Sequence, residues 1–263
     1  MRVLASFIMR SSTQATMVAA VFAMLALQFP PLSLFSSASV ALVTLRNGAR
    51  SGALVMALAA VACSLFGLVV FGDAWILLAY SLLLWLPIWL LAELLRASRS
   101  LALSLQAALA IGLVVIALAY LQLGQPETEW QSLLQPFGEA LKESEVLDAD
   151  QADQLIEVLA GWMTGVLAAG MFLQLVFGLL LGRWWQALLY NPGGFRSEFH
   201  QLRLYPALAW LALPVLALTL TGASGDWELL RYLGVLLLAA YSLQGLAVAH
   251  GIAWRAGANP GWL

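Results

Sequence analysis

Long apolar runs recur along this chain of 263 residues, and they constrain its fold more than any motif does. Crossing about 30 Å of hydrocarbon takes roughly 20 consecutive apolar residues in a helix, and several runs approach that length. The chain is 62% apolar and only 10% charged, whereas soluble domains carry about 25% charged residues. The sequence therefore predicts an all-α, polytopic membrane helical bundle that forms a single integral membrane domain over residues 1–263.

Eight of these runs are predicted to cross the membrane. They cover residues 12–27, 32–45, 51–71, 74–95, 101–123, 155–181, 205–220 and 229–254. We expect the first to be an uncleaved span rather than a signal peptide. The second follows Pro30-Pro31 and is too short for a straight crossing, so we expect it to be tilted, broken or shielded by other helices. The helix of the sixth is expected to continue to Tyr190, where Asn191-Pro192-Gly193-Gly194 stops it.

Charge is distributed unevenly between the two ends of these predicted spans. Ten of the 12 basic residues fall on one side, and twelve of the 14 acidic residues fall on the other. The ten are Arg2, Arg10, Arg46, Arg50, Arg96, Arg99, Arg183, Arg196, Arg203 and Arg255. Short loops rich in arginine stay in the cytoplasm. Both termini are therefore predicted to be cytoplasmic, which agrees with an even number of spans.

The largest polar region lies between the fifth and sixth spans, over residues 124–154, and is predicted to be extracytoplasmic and acidic. Apolar residues recur in it at the spacing of an amphipathic helix with one apolar face. They are Trp130, Leu133, Leu134, Phe137 and Leu141. We expect Pro136 to kink or interrupt this helix, and Asp148 with Gln151 to form a capping box that opens the next helix. The segment is interpreted either as a solvated helix on the membrane surface or as a lid over an outward-facing cavity.

The sequence carries no pattern typical of an enzyme or a metal site. It has no glycine-rich phosphate loop, no nucleophile elbow and no His, Cys and carboxylate cluster with metal-ligand spacing. His200 and His250 are each expected to have a structural role, and Glu93 is expected to pair with Arg96 one turn later. Ionisable groups near the membrane midplane are scarce, which counts against a proton pump. We therefore predict no catalytic residue, no metal, no cofactor and no nucleic-acid partner.

A few polar and aromatic side chains within the spans are candidates for contact with a ligand. Gln174 and Gln244 fall at similar depth in the sixth and eighth spans. An unpaired amide in lipid is costly, so the two are expected to bond to each other or to contact a ligand. Tyr80 and Trp162 complete this candidate set.

Small residues at four-residue spacing mark faces on which helices approach closely. Ala15, Ala19 and Ala23 form such a ridge in the first span. The sixth span carries a second ridge, made of Gly161, Gly165, Ala169, Gly178 and Gly182. Each ridge is interpreted either as an internal packing face or as a contact for a partner chain.

An aromatic and basic stretch follows the sixth span on the arginine-rich side. Its candidate docking residues are Arg183, Trp184, Trp185, Phe195 and Arg196. Tryptophan beside arginine suits the headgroup zone of a bilayer. The stretch is interpreted either as an interfacial anchor and helix stop, or as a docking loop for a cytoplasmic partner or anionic lipid.

Three motifs carry a resemblance to a known family. They are Pro30-Pro31 with the short segment after it, Arg46-Asn47-Gly48 leading to Gly52, and the aromatic loop from Arg183 to Phe195. Through them, over most of its length, the chain resembles the YybS-like family of bacterial integral membrane proteins. That family is similar in fold to the S components of energy-coupling-factor transporters, which have an outward-facing ligand pocket and a small-residue ridge on the first helix that docks a coupling subunit.

The resemblance implies an S-component-like bundle in the bacterial cytoplasmic (inner) membrane. It also implies a docking role for Ala15, Ala19 and Ala23, which match the ridge by type and spacing. The eight predicted spans depart from the family pattern, because S components have fewer helices.

Together these observations predict a non-enzymatic membrane protein that binds or transports a small molecule. The pocket is expected to open outward, walled by spans four to six, with the acidic segment above it. Ligand pockets are largely apolar with a few convergent polar groups, which the sparse glutamines and tyrosines fit. The alternative is a structural or assembly subunit that organises partner proteins through its glycine ridges and aromatic loop. The expected partners are the lipid bilayer and, in addition, a membrane protein partner or a second copy of the chain.

Overall fold

The structure is a computed structural model that describes residues 1–144, 147–222 and 227–257. Every regular element within these ranges is helical, and a 3-10 turn at Pro30–Leu32 separates the second helix from the third. The α-helices are α1 (Arg2–Ile8), α2 (Ser12–Leu25), α3 (Ser33–Asn47), α4 (Ala49–Phe71), α5 (Trp75–Ser98), α6 (Leu101–Leu123), α7 (Pro126–Glu143), α8 (Ala149–Tyr190), α9 (Gly194–His200), α10 (Pro206–Leu220) and α11 (Glu228–Arg255).

Five of the described helices, α4, α5, α6, α8 and α11, are long and apolar enough to cross a membrane. The chain is therefore a helical, multi-pass membrane protein, as its apolar runs predict. Two further apolar helices, α2 and α10, are shorter, and α3 has 15 residues. Because each falls below the roughly 20 residues of a straight crossing, the count of eight spans stays a prediction.

Local chemistry explains where the helices begin and end. Gly48 separates α3 from α4 with φ of +95°, and Gly193 follows the end of α8 with φ of +84°; both values favour glycine. One of the two hydrogen bonds of the predicted capping box is present, since Asp148 N donates to Gln151 Oε1 at 3.3 Å. The interruption expected at Pro136 is absent. There α7 continues from Pro126 to Glu143, because the missing N–H removes one bond of the helix and leaves the others in place.

The described chain divides into two compact units, and the single domain expected over residues 1–263 stays a prediction. Unit 1 contains Met1–Ala108, Leu173–Arg203 and the described residues from Leu246 onward. In it α2, α4 and α5 pack around α3, and 11 of the 15 residues of α3 are buried. The short second run is thus shielded by other helices, which is one of the three arrangements that its length predicts.

Unit 2 contains Leu109–Phe172 and Leu204–Gly245. Here α8 and α11 approach closely, because a Cβ on Gly165 would lie 2.8 Å from the backbone Cα of Tyr232. Helix α7 packs against the first turns of α8, where a Cβ on Gly138 would lie 2.9 Å from Ile156. Glycine is required at position 165 for this spacing of the helices, whereas a side chain at position 138 would have to displace that of Ile156.

Candidate functional site

A polar groove of about 470 Å³ lies between α7 and the first turns of α8 in unit 2. Its lining residues are Thr128, Gln131, Ser132, Gln135, Gly138, Glu139, Lys142, Asp153, Ile156 and Glu157. Pockets for small molecules commonly enclose about 300–1,000 Å³. The groove therefore has the size of a small-molecule site, and hydroxyl, amide and charged groups converge on it.

Contacts along the length of α7 hold this groove in shape. Near the start of α7, Trp130 Nε1 donates to Thr164 Oγ1 at 2.9 Å. Near its end, Lys142 Nζ lies 2.6 Å from Asp153 Oδ1. Between them Gly138, which is buried, meets Ile156. The groove is thus formed by two helices that contact each other at three points, rather than by loops, which favours a preformed site.

The groove carries an excess of negative charge. Glu139, Asp153 and Glu157 contribute three carboxylates, and Lys142 contributes the one ammonium group of the lining. The Lys142–Asp153 pair is well exposed, with 33% and 69% of the two side chains accessible, so it adds little to stability. A solute that carries positive charge or donates hydrogen bonds matches this field best. Glu145, another acid of the segment, lies outside the described residues.

The apolar face predicted for α7 is divided between two environments. Trp130, Leu134 and Leu141 are half-buried, whereas Leu133 and Phe137 are 65% and 51% exposed. Exposed Leu and Phe one turn apart suit the boundary between headgroups and acyl chains. The exposure favours a surface helix over a lid, and both interpretations stay predictions.

A second charged cluster in unit 2 joins residues that are far apart in the sequence. Arg231 Nη2 donates to Glu127 Oε2 at 2.7 Å, and 20% and 22% of these two side chains are exposed. The hydroxyl of Tyr232 donates to Glu228 Oε2 at 3.2 Å. The ion pair ties the start of α7 to α11. No local pattern in the sequence predicts this pair, although Arg231 is one of the two basic residues that do not belong to the ten on the arginine-rich side.

Each of the two intramembrane glutamines has hydrogen-bond partners within its own unit, and the amide pair that the sequence predicts stays a prediction. In unit 1, Gln174 Oε1 accepts a bond from Ser33 Oγ at 3.0 Å, and Gln174 Nε2 donates to Ser37 Oγ at 3.3 Å. In unit 2, Gln244 Oε1 accepts from Leu204 N at 2.8 Å. The serines of α3 and a free backbone N–H satisfy these amides, because an unsatisfied polar group in an apolar interior is costly.

The serines of α3 also bond to groups other than Gln174. Ser36 Oγ donates to the carbonyl of Ala19 at 2.7 Å and accepts from Trp85 Nε1 at 2.9 Å. The polar side chains of this short helix are therefore used in packing. Tyr80 and Trp162 are half-buried, and their predicted contact with a ligand stays a prediction.

The small-residue ridges face other helices of the same chain. Ala15, Ala19 and Ala23 are 0%, 0% and 1% exposed, in a helix that packs on α3 and α4. A Cβ on Gly182 would lie 2.8 Å from the Cβ of Ala41 in α3. This burial favours internal packing over contact with a partner chain.

The five candidate docking residues after the sixth span divide into buried and accessible groups. Arg183 is 9% exposed and Trp185 is fully buried, whereas Trp184 is 36% exposed. Phe195 is half-buried and stacks on Phe199, and the exposed Arg196 lies 4.0 Å above the ring of Trp254. The accessible members border an aromatic groove of about 310 Å³.

The two histidines, which the sequence presents as isolated, lie close together and line this groove. The ring centroids of His200 and His250 are 6.5 Å apart. Burial lowers the pKa of His200 from its ordinary value of 6.5, with further lowering from His250, Arg196 and Arg255. The positive charges nearby therefore oppose protonation of His200. Because the two histidines are far apart in the sequence, no local pattern predicts that they meet.

In the described part of the chain, no three His, Cys, Asp or Glu side chains are grouped closely enough to hold a metal ion. Comparison with known protein families, curated proteins and solved structures finds no match to this chain.

Proposed function

We propose that this membrane protein binds a small, polar, positively charged solute in the groove between α7 and α8, and that it serves solute uptake or transport. The observation that carries the proposal is the groove of about 470 Å³ with three carboxylates and one ammonium group in its lining. Binding on a rigid helical surface costs little ordering of the site, which supports specific recognition.

The proposal includes a topology of eight crossings in the bacterial inner membrane with both termini in the cytoplasm. Arginine-rich loops on one side and acids on the other support it, since such loops are retained inside. The groove then opens outward, where a solute arrives. The resemblance to YybS-like proteins and S components supports the same non-enzymatic role, with an outward-opening pocket expected to be walled by spans four to six.

A thermal-shift experiment on the detergent-purified protein tests this proposal. The panel contains organic amines, cationic amino acids, neutral sugars and organic acids at matched ionic strength. A cationic solute present at about 100 times its Kd stabilises the folded protein by about 2.7 kcal/mol, and the melting temperature rises accordingly. A panel without any stabilising cationic solute contradicts the proposal.

Paired variants locate the binding site. Glu157→Gln removes a carboxylate from the groove lining, whereas Glu143→Gln removes an exposed carboxylate at the end of α7 that is outside the lining. We expect Glu157→Gln to weaken binding about tenfold, as for a lost charged hydrogen bond, and Glu143→Gln to bind like the wild type. Equal affinities for the two variants would place the site elsewhere.

The aromatic groove supports a second candidate function, that of an assembly subunit. This groove, bordered by Trp184, Phe195 and Phe199 with Arg196 at its edge, has the aromatic and arginine composition of interface anchors. A photo-crosslinking residue in place of Trp184 is expected to capture one partner protein stoichiometrically in cells. The same residue in place of Trp210, which is 77% exposed, serves as the control. Equal crosslinking at both positions contradicts a specific interface.

A further inference from the structure

A pocket rich in arginine lies in unit 1, apart from both grooves described above. It encloses about 270 Å³ where the ends of α3, α5 and α8 meet α9. Its lining is Leu45, Leu95, Arg96, Arg99, Arg183, Gln186 and Glu198. Three guanidinium groups thus share the lining with one carboxylate, which leaves an excess of positive charge.

The buried part of this pocket is held in a fixed geometry. Arg183 is 9% exposed and pairs in bidentate fashion with Glu198, with Nε donating to Oε2 at 2.9 Å and Nη2 donating to Oε1. Gln186 Nε2 donates to the carbonyl of Leu45 at 3.2 Å. The carboxylate of Glu198 thus neutralises the guanidinium of Arg183. The carboxylate is therefore committed to one of the three arginines.

Arg96 and Arg99 are the exposed members of the lining. The guanidinium of Arg96 lies against Gly48, where a Cβ would be 3.0 Å from Nη1. Its ion pair with Glu93, the one that the sequence predicts, is 3.5 Å long and largely exposed. Within the described ranges, Arg99 has no ion-pair partner. The guanidinium of Arg99 is thus available to an anion, and that of Arg96 is held only by an exposed pair, which adds little to stability.

The backbone of Arg99 supports a role beyond ending the helix. Arg99 closes α5 in the left-handed conformation with φ of 54°, the one non-glycine residue with positive φ in the described chain. Glycine fits such a position without strain. Arginine in its place has a conformational cost, and it adds a guanidinium to the lining of the pocket.

From this geometry we propose that the pocket binds a phosphoryl group through Arg96 and Arg99, beside the buried Arg183–Glu198 pair. Guanidinium groups match phosphate oxygens in shape and charge, and they bind them in forked pairs. The group arrives either on an anionic lipid headgroup or on a soluble phosphate. This inference is independent of the proposed solute groove, because it rests on residues of the other unit.

Two measurements on the wild-type protein test the proposal and separate the two sources. Inorganic phosphate is titrated against chloride at constant ionic strength in detergent, and the protein is also reconstituted in discs of phosphatidylglycerol or phosphatidylcholine. A melting temperature that rises with inorganic phosphate indicates a soluble ligand. A rise restricted to phosphatidylglycerol indicates a headgroup. No rise in either measurement overturns the proposal.

Variants with matched charge changes assign the effect to the pocket. Arg99→Gln is expected to weaken the response at least about tenfold, as expected for a lost charged hydrogen bond. Arg10→Gln, at an exposed arginine outside the pocket, is expected to respond like the wild type. Equal responses of these two variants overturn the proposal.

Arg99→Gly keeps the test independent of folding. Glycine relieves the left-handed backbone at this position, so the melting temperature without ligand should equal or exceed that of the wild type. The response to the phosphate-bearing probe should still be lost. A wild-type response in Arg99→Gly overturns the proposal.

Discussion

Single glycines set the distance between neighbouring helices in this protein. At Gly165 the neighbour is the backbone of Tyr232 in α11, which cannot rotate away as a side chain can. Gly170, five residues later in the same helix, has open space around the position of a Cβ. Two glycines of one helix thus have different roles, and their different surroundings make them a matched pair for mutation.

Gly165→Ala is expected to destabilise the protein by about 1–3 kcal/mol, because its methyl group overlaps the backbone of α11 and forces the helices apart. Gly165→Leu is expected to destabilise the protein more than Gly165→Ala does, because its side chain is larger. Gly170→Ala is expected to be neutral or to stabilise by up to about 1 kcal/mol through helix propensity. Reversible unfolding in detergent measures both. Equal stability of the two alanine variants would show that α8 and α11 are not in close contact.

His200 predicts how stability depends on pH. Its pKa is lowered below 6.5 in the folded protein by burial and by nearby positive groups, so the unfolded chain binds more protons as the pH falls. The stability that this histidine contributes is therefore present above about pH 6.5 and is lost as the pH falls through the folded-state pKa.

We expect the melting temperature to fall between pH 7 and pH 5, and His200→Gln to reduce that fall. Other groups titrate in the same range, so the quantity to compare is the difference between wild type and variant at each pH. Above pH 7 the melting temperatures of the wild type and of His200→Gln should change with pH at the same rate. Parallel curves from pH 7 to pH 5 would show that His200 titrates normally.

At the scale of elements, the hairpin of α8 and α9 depends on one ion pair. Arg183 near the end of α8 is 9% exposed and is neutralised by Glu198 of α9. Removing the carboxylate leaves a buried guanidinium without its partner, which costs more than the pair itself contributes. By contrast, the pair of Glu93 and Arg96 is exposed and lies within one helix.

Glu198→Gln is expected to lower the free energy of unfolding by about 1–3 kcal/mol. Glu93→Gln, the matched control, is expected to cost no more than about 0.5 kcal/mol. The double variant Arg183→Gln with Glu198→Gln should recover part of the loss, because no charge is then buried alone. Comparable losses in the two single variants would contradict a structural role for the pair.

At the scale of the whole molecule, the distribution of charge predicts the topology. Ten arginines on one side predict that both termini are cytoplasmic. A fluorescent protein joined after Leu263 is expected to fluoresce, and alkaline phosphatase joined there is expected to be inactive. Phosphatase joined after Glu143, at the end of α7, is expected to be active. A reporter behind Leu263 that works only in the periplasm would contradict an even number of crossings.

The helices that form the candidate groove are predicted by the sequence, whereas the contacts between them are not. Composition and periodicity predict a helix in the acidic segment and another over residues 155–181, and α7 and α8 confirm that both are helical. The groove between them was not predicted, because it depends on Gly138 meeting Ile156 and on Lys142 meeting Asp153. Neither contact has a periodic signal in the sequence.

The sequence alone predicts the long apolar helices, although α7 continues through Pro136 and the short helices α1 and α9 are not predicted. Hydrogen bonds of a helix join residues four apart, so apolar runs and breakers such as Pro30-Pro31 and Gly193 indicate where several of the helices end. Only the tertiary structure decided which polar side chains meet. Gln174 bonds to Ser33 across 141 residues, and Arg231 bonds to Glu127 across 104. Such partners depend on how each helix is rotated and packed against its neighbours, and no local interaction along the chain encodes that rotation.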